Sequence, residues 1–189
     1  MSENKIEQQI EDEVKDVERD IDTLSKVTFL DSLLDKQTEI RNLLDVRSNI
    51  VIGFNSAIIV LLVTYFKDKF LETPLLWMVM LILITSLILA IIALKPPHYH
   101  SKKGQAESIF YHHYIVSKDM EDYRAEIHKV LGNDKHIFDA YITETYNLTK
   151  YSNIPRKMYL YASLRVLIYG LLFVVVASAV LWVMSFLTV

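Results

Sequence analysis

Three stretches of this chain, residues 48–66, 73–94 and 166–189, contain no Asp, Glu, Lys or Arg. Each approaches the roughly 20 apolar residues that an α-helix needs to cross about 30 Å of hydrocarbon. A chain of 189 residues cannot wrap three such helices in polar layers, so they are not the core of a soluble domain.

Four Gly and four Pro in the whole chain argue against sheets, hairpins and glycine-rich phosphate loops. The absence of Cys removes disulfides, thiolate metal sites and cysteine nucleophiles. The expected fold is therefore all-α: a three-span helical membrane protein with a cytoplasmic helical module continuous with the spans. No cleaved signal is expected, because residues 2–22 are strongly acidic and the first apolar run begins only near Ile50.

Lys and Arg resist translocation and so set orientation. Seven precede the first span and eleven lie in the connector 95–165, whereas the turn between the first two spans holds only Lys67 and Lys69. The sequence thus predicts a cytoplasmic N-terminus, an external C-terminus and a multi-pass membrane protein. Along the chain this gives an acidic head (1–27), a cytoplasmic stalk (28–48), a first span (49–66) and a short external turn (67–73). A second span (74–94), a cytoplasmic helical hairpin (95–154), the stalk of the last helix (155–165) and a third span (166–187) follow.

In the head, Ile10, Val14, Val17, Ile21 and Leu24 recur at spacings of four and three. That is the seam of a short coiled coil or of an amphipathic helix, and it suggests a homo-oligomer; a mobile acidic tail fits the same residues. From Thr28 onward the apolar period runs without Pro or Gly through Asp45 and Arg47 into the first span, predicting one helix, half stalk and half membrane. Lys95-Pro96-Pro97 stops the second span. The hairpin reads as helices over about 105–131 and 134–151, parted by Gly132-Asn133. The last helix is expected to begin at Ile154-Pro155-Arg156.

No nucleophile motif, phosphate loop, zinc-protease motif or dinucleotide fingerprint occurs, so an enzyme is not expected and no cofactor is implied. The histidines lack metal-ligand spacing: His112 and His113 are adjacent, and His98 and His100 lie in a connector. Lys95, His98, Tyr99, His100, Lys102 and Lys103 cluster beside the membrane and suit either anionic headgroups, the simpler partner, or a phosphate ligand. A second cluster, Tyr123, Arg124, Lys150, Tyr151, Arg156 and Lys157, combines cations for a phosphate with rings for a base, although packing and topology explain these residues equally well. Within the spans, Asn49, Asn55 and Ser56 form the candidate polar seam; Thr85, Ser86, Ser178 and Ser185 are the other polar residues noted. Asn55 is expected to bond across helices and Gly53 to permit close packing. The lack of ionisable groups at mid-membrane disfavours a proton-coupled pump.

Several patches together resemble the Pycsar transmembrane effectors, found beside pyrimidine cyclases in bacterial operons that abort phage infection. They are Asp45-Val46-Arg47-Ser48-Asn49 leading into Gly53-Phe54-Asn55-Ser56, Ala93-Leu94-Lys95-Pro96, Ile109-Phe110-Tyr111, the run 117–123, Tyr146-Asn147-Leu148, Lys150-Tyr151 and Arg156-Lys157. The likeness spans roughly 28–175 and leaves the acidic head outside. It implies an antiphage effector, multi-pass in a bacterial inner membrane, whose ligand, cyclic UMP or cyclic CMP from a partner cyclase, binds on the cytoplasmic side and leads to permeabilisation or depolarisation of that membrane. No nucleic-acid partner is expected. Two other classes fit the topology: a membrane-anchored oligomeric scaffold or adaptor and, less well, a small channel or transporter subunit.

Overall fold

The computed structural model describes residues 3–66, 68, 73–95 and 108–187. Most of the membrane-adjacent cluster, from His98 to Lys103, and most of the turn 67–73 lie outside the described residues. Among the described residues the chain is 93% helical and has no strands. The elements are α1 (Glu3–Phe66), α2 (Pro74–Leu94), α3 (His112–Val116), α4 (Met120–Leu131), α5 (Asp134–Asn147), a π-helical segment (Leu148–Asn153) and α6 (Ile154–Leu187). They divide into two compact units, residues 1–39 with 98–149, and residues 40–97 with 150–189.

The first unit brings the N-terminal part of α1 together with α3, α4 and α5. Thr23 Oγ1 donates to Asp134 Oδ2 at 3.0 Å, and the rings of Phe110 and Tyr141 meet at 5.3 Å. Gly132 ends α4 in ordinary right-handed backbone, φ −73°, so its lack of a side chain is not needed for a left-handed cap. Asn133 then opens α5 as its N-cap, accepting from the Lys135 amide, which satisfies one otherwise unbonded N–H of the first turn. The head residues Val14, Val17, Ile21 and Leu24 are all exposed.

The first hairpin helix differs from the sequence expectation, whereas the last helix starts where expected, at Ile154. The first hairpin helix is broken: Ser108 to Tyr111 form a turn, and α3 and α4 are parted by Ser117, Lys118 and Asp119. Ser117 Oγ donates back to the Tyr114 carbonyl, and Asp119 sits in extended backbone before α4. Short polar side chains bond locally in this way at helix ends and weaken helix continuation. The last helix begins at Ile154, and α5 reaches it through the π-helical turns without a loop. Pro155 cannot donate to the carbonyl four residues back and its ring crowds that carbonyl; wider turns immediately before it relieve the clash without ending the helix.

The second unit carries the apolar stretches. Three helices are long and apolar enough to cross a membrane, with 11%, 17% and 11% of their apolar windows buried. Most of each span therefore points outward, and Leu61, Trp77, Leu81, Leu172, Phe173 and Trp182 are among the exposed side chains. Inward positions follow alternating steps of three and four: Leu44, Ser48, Val51 and Asn55 on α1; Leu83, Ser86, Ala90 and Ala93 on α2; Leu160, Ser163 and Leu167 on α6. This is the seam of slightly inclined helices whose side-chain ridges interdigitate. The Ser and Ala among these inward positions suit helices that associate by close contact in lipid, where apolar burial provides no drive.

Gly53 does not perform the close packing expected of it, since a β-carbon there would meet nothing within 4 Å. The close approach occurs at Gly170, where a β-carbon would lie 2.6 Å from Ile82 Cγ2. Sequence places Gly53 in a span; only the helix rotation decides that it faces outward.

Candidate functional site

Within the three-helix unit a chain of hydrogen bonds links α1, α2 and α6. Asn55 Nδ2 donates to Ser86 Oγ at 2.8 Å, Ser86 Oγ and Ser163 Oγ are 2.9 Å apart, and Ser163 Oγ donates to the Ser86 carbonyl at 2.7 Å. Each hydroxyl has one proton. With Ser163's directed at the carbonyl, Ser86 donates to Ser163 Oγ and accepts from Asn55, so the order of the chain is determined. Asn55 is 0% exposed, yet its Oδ1 has no hydrogen-bond partner among the described residues. In hydrocarbon such an acceptor is costly, which makes this the most strained polar position of the seam.

The candidate seam is therefore reassembled. Asn55 is at its centre and Ser56 half-buried, but Asn49 is exposed. Ser86 and Ser163 complete it from α2 and α6. Ser163 falls before the charge-free stretch, so span boundaries conceal it; its signal is the spacing Arg156, Leu160, Ser163, Leu167 along one helix face.

Before Ser163 along α6, α1 and α6 are joined by an ion pair between Asp45 Oδ1 and Arg156 Nη1. Arg156 is 7% exposed, and its Nε has no hydrogen-bond partner among the described residues. Ser152, four residues earlier, is likewise buried with an unbonded hydroxyl. Lys150 Nζ lies 5.5 Å from the Tyr151 ring centroid and Lys157 Nζ 5.7 Å from that of Tyr161, cation–aromatic contacts that hold both lysines along the helix surface.

The six residues of the tyrosine and cation cluster fall in different units. Tyr123 and Arg124 belong to the first, where the Tyr123 hydroxyl donates to the Ile109 carbonyl at 3.4 Å and Arg124 is exposed. Lys150, Tyr151, Arg156 and Lys157 belong to the second.

The first unit holds its own polar clamp. The Tyr114 hydroxyl donates to Glu126 Oε1 at 2.7 Å, and Lys118 Nζ bonds both Tyr114 and Glu126. The hydrogen bond from Lys118 holds the Glu126 carboxyl below its ordinary range, and Glu126 in turn raises Lys118. Tyr114 is raised: the Lys118 bond lowers it, but burial and Glu126 outweigh that pull. Burial, then Asp31 and Asp35, also raises Tyr141. Beside this clamp an apolar cavity of about 300 Å³ is lined by residues including Val27, Phe110, Ile127 and Tyr141. Among the described residues no group of three or more His, Asp or Glu is placed to hold a metal ion.

Three apolar helices around a hydrogen-bonded seam define a multi-pass α-helical membrane protein. No curated protein and no solved structure matches the chain. The model of the Pycsar effector protein domain matches residues 29–185, most of the chain, and the protein belongs to that family. Membership supports a role as an antiphage defence effector, in a family that is not one of enzymes. The match runs further toward the C-terminus than the resemblance read from sequence and likewise omits the acidic head.

Proposed function

We propose that the protein is a ligand-gated effector of the inner membrane: a cyclic pyrimidine nucleotide, cyclic UMP or cyclic CMP, binds on the cytoplasmic side, and several copies then depolarise the membrane. The observation that carries this reading is the polar seam of Asn55, Ser86 and Ser163, two of whose helices, α1 and α6, extend without interruption beyond the charge-free stretches. A ligand moves a two-state bundle only through different affinities for its two states, and continuous helices transmit a cytoplasmic rearrangement into the bilayer.

Three spans alone do not enclose a conducting path. Leak requires copies whose spans rotate or separate, turning the buried Asn55 and half-buried Ser56 into the lining of an inter-chain gap. The exposed stripe Val14, Val17, Ile21 and Leu24 supplies an assembly surface of coiled-coil spacing. The distribution of Lys and Arg along the chain supports a cytoplasmic N-terminus and an external C-terminus.

The test is membrane potential, followed with a voltage-sensitive dye in proteoliposomes containing the full chain. Addition of cyclic UMP or cyclic CMP to the side bearing the 95–165 connector collapses an imposed potassium diffusion potential, and cyclic AMP does not. Unchanged polarisation with both pyrimidine nucleotides refutes the proposal.

A further inference from the structure

The buried guanidinium of Arg156 is under-used. Of its five N–H donors, the ion pair with Asp45 engages Nη1 through a single carboxylate oxygen, while Nε has no partner among the described residues and is fully enclosed. Ser152, 1% exposed, contributes a second unbonded polar atom on the same helix. Buried donors left open in this way ordinarily meet an acceptor. A planar guanidinium is best satisfied by an acceptor with two oxygens in fork geometry, a role for which carboxylate and phosphate are suited.

We propose that Arg156, with Ser152, is a phosphodiester-binding site whose resident counter-ion is Asp45, and that the incoming phosphate displaces Asp45. The inference rests on the proposed gating only for the identity of a soluble ligand. The two groups differ in a way that makes exchange feasible: the Arg156 side chain is 8% exposed and the Asp45 side chain 35%, so the carboxylate has a route to water that the cation lacks. Two non-bridging phosphate oxygens engage Nε and Nη together, and Asp45 turns outward. The exchange removes the ion pair joining α1 to α6 just below the seam. Anion binding thereby becomes a release of one span from another, without any new charge entering the hydrocarbon.

A phosphodiester of this kind is carried by a cyclic nucleotide and by an anionic lipid headgroup, and two arms separate the sources. The full chain and its Asp45→Asn and Arg156→Lys variants are placed in phosphatidylcholine nanodiscs and titrated with cyclic UMP and cyclic CMP. In parallel, retention of phosphatidylglycerol is measured in mixed-lipid nanodiscs. Removing the competing carboxylate in Asp45→Asn tightens phosphate binding, and replacing the fork by a point charge in Arg156→Lys weakens it, each by on the order of tenfold. Arg156→Lys keeps the buried charge paired, and thermal unfolding of each variant verifies that it folds.

Opposite shifts in the nucleotide arm assign a soluble ligand; opposite shifts in the lipid arm alone assign a headgroup, and remove the nucleotide from this site. Nucleotide binding of unchanged affinity in both variants, with no shift in the lipid arm, overturns the site while leaving the proposed gating intact. Shifts of the same sign in both variants also overturn it, because a purely structural ion pair weakens from either side.

Discussion

Ser86→Ala is the most informative single perturbation of the membrane unit. It deletes the acceptor for Asn55 Nδ2 and the donor to Ser163 Oγ, while Ser163 keeps its bond to the Ser86 carbonyl. One inter-helical hydrogen bond in a bilayer averages about 0.6 kcal/mol and reaches about 1.7. The larger consequence falls on Asn55, already short of a partner at Oδ1, whose buried amide then has an unsatisfied donor as well, at about 1–3 kcal/mol. Together these predict a loss of about 1.5–3 kcal/mol. In an Asn55→Ala background no donor is orphaned, and Ser86→Ala costs only about 0.5 kcal/mol. The coupling between the two positions is therefore about 1–2.5 kcal/mol, well above the error of a double-mutant cycle. Reversible unfolding in bicelles, followed by circular dichroism on all four proteins, measures it. Strict additivity would refute the reasoning, since it would mean that Asn55 and Ser86 do not depend on one another in the folded bundle.

Gly170→Val forces a branched side chain onto Ile82 Cγ2 and is expected to destabilise the α2–α6 contact by about 1–3 kcal/mol; Gly53→Ala, facing open space, gains about 0.5–1 kcal/mol of helix propensity. The same unfolding assay orders the two variants. The lowered Glu126 carboxyl binds fewer protons folded than unfolded, so its contribution to stability is complete above the ordinary value of 4.5 and is lost as the pH falls through the folded value. Hydrogen exchange of α4, corrected for intrinsic rates, opens on acidification in the parent and loses that dependence in Glu126→Gln. Pro155→Ala restores a donor to the helix, so the π-helical turns Leu148–Asn153 revert to α spacing, seen as increased amide protection of residues 151–155; unchanged protection refutes the assignment of the π turns to the proline.

Sequence alone determined the spans, because the penalty for charge in hydrocarbon is large and local: a charge-free run near Ile50, Pro74 or Leu167 has only one stable solvent. The family likeness was legible for a similar reason, as short runs such as Asp45-Val46-Arg47-Ser48-Asn49 are local patterns. Helix rotation was not legible. Each span is apolar nearly all round, so no hydrophobic period distinguishes the lipid face from the internal face. Gly53 and Gly170 look alike in sequence, but only Gly170 meets a neighbouring helix. Asn49 and Asn55 share a residue type and a helix, yet only Asn55 is buried.

The pairing of Asp45 with Arg156, 111 positions apart, is likewise a tertiary fact. Charge placement near the membrane carries only an expectation of orientation, whereas the packing of α1 with α6 sets which cation meets which carboxylate. A bilayer selects residues by their cost of solvation, one at a time; partners inside the bundle are selected by shape and hydrogen bonding among helices, which exists only once they have packed.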